Sequence, residues 1–465
     1  MGKEFPLKPF AVPRVHTPNR CIKTKIPVPE SIPILEQMRS SEPRSMQGQP
    51  PILWHRAEGT SIYDPYGNQW IDFSSGVLVT ASGYGHPRLV GAMSEMLQSG
   101  VYHAFCFPTE IRSRLASKLS KIAPRQLKKV FLLTTGSEAV ECCIKLARMF
   151  GLQTGGKQKN ILISFENAFH GRTMGSQLAG GLPGLKTWLG EPDPRFIQVP
   201  FPDEYRTLDN SFEGFERSLA QQGVDPERVC GVLSETYQGC NAKMWPVAYA
   251  RAMREWCDKH KALLIFDEVQ AGFGRTGKWF GFQHLGVVPD LAALGKGISG
   301  GMPLSAVIGR EDVMDQYGPG EMSSTHSANT VCCAAALANI GVIECENLVE
   351  RAARLGQILA EKVLRIQEDS HGHIGRTDSV GLVAALQFTV PGTQEPDPDT
   401  AWEATKRVFE SGVMLFAPVG LKGSAIKINP PLVISEDSLR EGLEVVQEAV
   451  RSVTEAKSIA ETHPN

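Results

Sequence analysis

Ala262-Leu263-Leu264-Ile265-Phe266-Asp267-Glu268-Val269-Gln270 is an apolar run that ends on two acids. Leu291-Ala292-Ala293-Leu294-Gly295-Lys296-Gly297 is a second such run, and it ends on a lysine between glycines. Buried parallel strands have this short, continuously apolar character. Outward from these two, Lys129–Leu133, Asn160–Ser164, Val229–Ser234 and Leu304–Ile308 share it. Helical patterns lie between them. Val140, Cys143, Ile144 and Ala147 fall on one helix face, as do Met253, Trp256, Cys257 and His260. Strand and helix alternating over residues 110–310 predict an α/β domain with a mainly parallel sheet.

The flanks differ. Residues 1–50 carry Pro6, Pro9, Pro13, Pro27, Pro29 and Pro33, which reads as an extended arm over a body. Trp70-Ile71-Asp72-Phe73 reads as a strand after the turn Asp64-Pro65-Tyr66-Gly67. After a helical stretch from Cys332 to Ser370, strand runs at Gly381–Phe388, Val413–Phe416 and Ala425–Ile428 mix with helices near 399–411 and 435–455. Ser435 caps the last helix, with Glu436 and Asp437 in its first turn. This predicts a smaller α+β domain. The domain reading is therefore 1–80 as arm and part of the small domain, 81–335 as the large domain, and 336–465 as the rest of the small domain.

Composition excludes several classes. The chain has 465 residues and a net charge of −2, so no charge excess recruits nucleic acid or an anionic membrane. No apolar run approaches the ~20 residues that span a bilayer, and residues 1–24 hold no apolar leader; the expected location is the cytoplasm. Ten cysteines include the adjacent pairs Cys142–Cys143 and Cys332–Cys333. Neighbouring cysteines suit neither a metal knuckle nor a disulfide framework, so they read as core residues, and no metal site is expected.

In open α/β sheets, ligands sit beyond the carboxyl ends of strands. After Lys129–Leu133 comes Thr134-Thr135-Gly136-Ser137-Glu138-Ala139, a turn opening a helix, suited to a phosphate or to a plain serine cap. After Asn160–Ser164 comes Ala168-Phe169-His170-Gly171-Arg172-Thr173, with an aromatic to stack on a flat ring and an arginine to hold a carboxylate. Asp267, at a buried strand end, needs a partner such as a protonated pyridine nitrogen, or caps the next turn. Lys296 suits imine formation with an aldehyde, because partial burial lowers an amine's pKa; the plain alternative is a snorkelling lysine. It follows Asp267 by 29 residues, one crossover unit. Gly272-Phe273-Gly274-Arg275-Thr276-Gly277 matches a dinucleotide fingerprint, but Lys278-Trp279-Phe280-Gly281-Phe282 does not open an amphipathic helix, so that reading is set aside. Phosphate turn, stacking aromatic, acid and lysine at successive strand ends agree on one cofactor.

At these residues the chain resembles the class III (ω-amino acid) aminotransferases of pyridoxal-phosphate (PLP) fold type I, such as the 4-aminobutyrate, ornithine and acetylornithine aminotransferases. The likeness runs from about Asp64 to Leu443. It implies a large domain with a seven-stranded, mainly parallel sheet and a smaller α+β domain. It implies that Lys296 holds pyridoxal 5′-phosphate as a Schiff base and moves the substrate proton. Asp267 pairs with the ring nitrogen, Phe169 and Val269 cover the ring faces, and Gly136 and Ser137 take the phosphate. Gln270 contacts the ring oxygen, and His170 and Glu235 complete the cofactor site. Thr325 would reach the phosphate in the other subunit of a homodimer, which could pair again as a dimer of dimers. Arg172, Val77, Lys427 and Cys240 fall at substrate positions, for an ω-amino acid and a 2-oxo acid (2-oxoglutarate or pyruvate).

The chain departs from the family in places. The segment Glu-Pro-x-Gln-Gly-Glu is Glu235-Thr236-Tyr237-Gln238-Gly239-Cys240 here, and the arginine that pairs with the second glutamate is Lys427. Phe-Gly-Gly-Asn-Pro is His326-Ser327-Ala328-Asn329-Thr330. These changes bear on the 2-oxo acid, and an amino-acid racemase or epimerase of the same fold is the alternative expectation.

Overall fold

A computed structural model describes residues 3–191, 193–207 and 209–462. They form two compact units. One takes in Val79–Ala81 and Pro87–Ala352; the other takes in the chain up to Leu78, Ser82–His86, and the chain from Ala353 onward.

The first unit is built on a seven-stranded sheet: β1 (Lys129–Leu133), β2 (Ile161–Phe165), β3 (Phe196–Val199), β4 (Val229–Glu235), β5 (Leu263–Asp267), β6 (Leu291–Leu294) and β7 (Ser305–Gly309). Their order is β1-β7-β6-β5-β4-β2-β3. Only β7 runs antiparallel to its neighbours; the other pairs are parallel. The ten residues 295–304 between β6 and β7 are too few for a parallel crossover, so the chain turns straight back. The expected fold class holds, and six strands fall within a residue of their sequence-based limits. The seventh, β3, was not located in the sequence. It has four residues, lies at the sheet edge, and leaves Ile197 and Gln198 half-buried, so no continuous apolar run marks it.

Five helices of this unit matter below: α1 (Pro87–Gln98), α2 (Glu110–Ile122), α3 (Gly136–Gly155), α4 (Val247–Lys259) and α5 (Thr330–Cys345). Helix α3 buries Ala139, Val140, Cys143, Ile144, Leu146 and Ala147 against Leu233, Leu263, Ile265 and Val307 of the sheet. Helix α5 packs on α1 and α2, so this unit continues to Ala352, past the limit at 335 read from the sequence. The long helical stretch is two helices, α5 and Leu348–Glu368, broken at Asn347, whose φ of 52° leaves the right-handed region. Among the described residues no single helix is long and apolar enough to cross a membrane.

In the second unit, Ile374–Val380, Val383–Phe388 and Ala425–Ile428 form an antiparallel sheet. Ile374–Val380 was missed in the sequence because Arg376, Thr377, Asp378 and Ser379 interrupt any apolar pattern. A second sheet joins Val15–His16, Cys21–Ile22, Gln69–Asp72, Ser61–Tyr63 and Arg56–Glu58, with Val413–Met414 beside Gln69–Asp72. The proline-rich arm is thus more than a covering strap. It supplies two strands, and Phe5 stacks on Trp402 at 4.2 Å. Ser435 caps the last helix as expected, its Oγ accepting from Ser438 N at 3.1 Å. Ser75, Gly76, Val77 and Leu78 have φ of 50°, 56°, 67° and 64°, a left-handed turn. Asn429 braces it: its O accepts from Ser75 Oγ at 2.5 Å and its Nδ2 donates to Ser74 O at 2.6 Å.

Candidate active site

The strand ends of the first unit open on one cavity of about 150 Å³. Its walls are Thr135, Gly136, Ser137, Phe169, His170, Gly171, Glu235, Asp267, Val269, Gln270 and Lys296. Nine of the cofactor positions read from the sequence are therefore gathered in one place.

The acid end comes from two neighbouring strands. Asp267 ends β5, Glu235 ends β4, and the two are direct register partners on the same sheet face. Asp267 is 5% exposed. Its Oδ2 accepts from His170 Nδ1 at 2.8 Å, and its Oδ1 accepts from Val269 N at 3.0 Å. Glu235 accepts from Phe169 N at 3.1 Å and from Gly239 N at 2.9 Å. Burial pushes the Glu235 carboxyl up to about 7; His170 opposes this and Asp267 adds to it. His170 Nε2 is buried with no hydrogen-bond partner among the described residues.

The opposite end is the start of α3. Its cap is Thr135, not Ser137: Thr135 Oγ1 accepts from Glu138 N at 3.2 Å, and Glu138 Oε2 accepts from Thr135 N at 3.0 Å. This reciprocal box leaves the amides of Gly136 and Ser137 at the positive helix end. Ser137 Oγ accepts from Arg172 N at 3.3 Å. Two glycines allow the close fit. A Cβ on Gly136 would stand 2.8 Å from Val269 Cγ1, and one on Gly171 only 2.2 Å from Ser137 Oγ, at a φ of +128°. Gly171 was quoted in its motif but not singled out; its place between His170 and Arg172 was the available signal.

Lys296 follows β6 in a short turn, Lys296–Ile298, with φ of 41°. Desolvation pulls its ammonium below the usual lysine value, against the attraction of Asp267 and Glu235.

The remaining positions lie off this wall. Arg172 is exposed, its guanidinium 5.7 Å from the Phe169 ring centre. Cys240 is buried, with Sγ donating to Asn167 O at 3.4 Å. Thr325 is exposed. Val77 and Lys427 belong to the other unit. There Val77 borders a groove of about 670 Å³ with Trp54, Met38 and Met414, and Lys427 is buried in the strand Ala425–Ile428.

The model of the family described as aminotransferase class-III matches residues 44–450. The chain belongs to the class III aminotransferases. It is similar to the 4-aminobutyrate aminotransferase of Mycobacterium leprae (strain TN), 32% identical over 92% of this chain and 97% of that one. It is also 31% identical to an alanine/serine racemase of Pyrococcus horikoshii, over 88% of this chain and 87% of that one. Among solved structures, a PLP-bound amine transaminase from an uncultivated Pseudomonas species superposes with a TM-score of 0.80 at 27% identity, covering 86% of this chain and 94% of the other. The protein is a PLP-dependent transaminase, with pyridoxal 5′-phosphate as its cofactor.

The cavity fits that group on its own observations. It offers a helix N-terminus for a phosphate, a buried carboxylate for a ring nitrogen, Phe169 and Val269 for ring faces, and a desolvated amine for an aldehyde. The glycines at 136 and 171 let Val269 and Ser137 pack closely at this end of the cavity, where a Cβ would displace them.

Proposed function

We propose that this transaminase moves the amino group of an ω-amino acid to a 2-oxo acid in two half-reactions, with Lys296 carrying the cofactor. The observation that carries this reading is the single cavity holding Lys296, Asp267, Phe169 and the start of α3. The bound cofactor supplies an electron sink for the charge left when a substrate C–H bond breaks. The chain does the rest. Asp267, braced by His170, would hold a proton on the ring nitrogen. Lys296, whose amine lines the cavity, would hold the cofactor and would serve as the base that takes a proton from the substrate carbon and returns it. Gly136 and Ser137 would hold its phosphate and Gln270 its ring oxygen, while Glu235 ties the Phe169 and Gly239 loops together.

Arg172, exposed beside Phe169, is assigned to the distal carboxylate of the substrate. The names of several relatives support an ω-amino donor, 4-aminobutyrate and 5-aminovalerate among them. Cys240 and Lys427 replace the glutamate–arginine pair of the family, and a lysine attracts a carboxylate without the fork of arginine. Pyruvate is therefore a stronger acceptor candidate than 2-oxoglutarate. Val101, Tyr102, Phe105 and Phe107 form an exposed apolar stretch, which supports a homodimer in which Thr325 of each subunit completes the other's site. Ten cysteines, none of them joined in a disulfide, suit the reducing cytoplasm.

An amino-acid racemase is the second reading, favoured by the racemase relative at 31% identity. A panel of ω- and α-amino donors against pyruvate and 2-oxoglutarate tests both. Oxo product from an ω-amino acid is expected. Racemised α-amino acid without oxo product would overturn the transaminase reading.

A further inference from the structure

The lysine turn is strained and needs a brace. Lys296 has a φ of 41°, in the left-handed region that side-chain-bearing residues avoid. Such a conformation persists only where its surroundings over-determine it. One constraint is local: Ile298 N donates to Gly295 O at 3.1 Å. The other comes from Asn339 on α5. Its Nδ2 donates to Gly297 O at 2.8 Å and to Ile298 O at 3.1 Å. Two carbonyl acceptors fix which end of the amide faces the turn.

Asn339 is fully buried, and its Oδ1 has no partner among the described residues. The neighbouring buried positions on α5, Cys333, Ala336, Ile340 and Ile343, are apolar. A half-satisfied amide among them is a poor choice for stability alone. Its two donated bonds land on the carbonyls directly after Lys296, which points to the turn as its purpose.

We propose that Asn339 is a positioning residue, pinning the carbonyls of Gly297 and Ile298 so that Lys296 stays in the left-handed conformation from which its side chain lines the cavity. The inference rests on Lys296 being the cofactor-bearing residue. It concerns how readily the Lys296 amine condenses with the cofactor aldehyde, a step in which the C=O bond is replaced by a C=N bond and the oxygen leaves as water with the two amine hydrogens.

The test uses cofactor-stripped full-length protein. Pyridoxal phosphate is added and loading is followed by absorbance. The link is then trapped with borohydride, and the labelled peptide is mapped. Asn339→Leu removes both donors and the unpaired oxygen; Asn339→Asp keeps the shape but can donate at most one hydrogen bond, and only when protonated. Both are expected to load Lys296 ~10-fold or more slowly than wild type, as small misplacements of reacting groups do. Asn339→Leu leaves two buried carbonyls without their donor and should lower the melting temperature, so the loading rate of the folded protein is the deciding readout. A purely structural role would lower melting and leave the loading rate of folded protein unchanged. Wild-type loading by folded Asn339→Leu overturns the inference while leaving the function of Lys296 standing. Failure of both variants to fold makes Asn339 a folding determinant and also overturns it. Absence of label on Lys296 in the wild type defeats the reading of Lys296 itself, and this inference with it.

Discussion

Glu235→Gln separates the cost of a buried charge from the service its oxygens perform. Burial moves the Glu235 carboxyl from its ordinary 4.5 to about 7. One pKa unit is worth about 1.4 kcal/mol, so ionised Glu235 costs the fold about 3 kcal/mol above neutral pH relative to its protonated form. The folded state holds this proton more tightly than the unfolded chain. The contribution to stability is therefore fully present below pH 4.5 and is lost as pH rises through about 7. Glutamine carries no charge at either end of that window. It keeps one acceptor for the amides of Phe169 and Gly239 and sets an N–H group against the other, a loss of about 1–3 kcal/mol at any pH. The cofactor-free variant should thus be clearly less stable than wild type at pH 5 and close to it at pH 8. The difference between the two proteins should change by about 3 kcal/mol across the window, several degrees of melting temperature for a unit of this size. Parallel thermal melts at pH 5, 6, 7 and 8 measure this. Glu268, also raised to about 7 by burial, is common to both proteins and cancels. A constant gap between the two melting curves at all four pH values would refute the argument.

Gly171→Ala should weaken PLP binding ~10-fold or more, since its methyl would displace Ser137 Oγ from 2.2 Å at a left-handed φ; equilibrium dialysis of the cofactor checks this, and unchanged affinity counts against the phosphate turn. Lys427→Arg combined with Cys240→Glu should raise the ratio of 2-oxoglutarate to pyruvate use severalfold, read from kcat/KM for each acceptor; an unchanged ratio removes those positions from acceptor choice.

Much of the site was legible because its chemistry hangs on the ends of buried strands. The apolar runs before Asp267 and Lys296 mark β5 and β6, and parallel order then places both residues at one sheet end. What escaped has physical reasons. Strand β3 is an edge strand with Gln198 in its middle, and Ile374–Val380 carries four consecutive polar residues. Phe5 sits in a proline-rich arm, and nothing local says that it will stack on Trp402, which is distant in sequence. Ser137 looks like a cap, yet Thr135 takes that place because Glu138 stands three residues on and closes the box. Asn339 was invisible in a helix of apolar residues, because its partners are backbone carbonyls some forty positions earlier. Val77 was placed by resemblance alone; its φ of 67° on a branched side chain shows only in the folded backbone.

The central claim is that Lys296 is the residue joined to the cofactor. Borohydride reduction of the PLP-loaded enzyme, followed by mass mapping of all peptides, tests it most directly. A single pyridoxyl label on Lys296, absent from Lys296→Ala protein, is the expected result. A label on another lysine, or none in an enzyme that still transaminates, would contradict it.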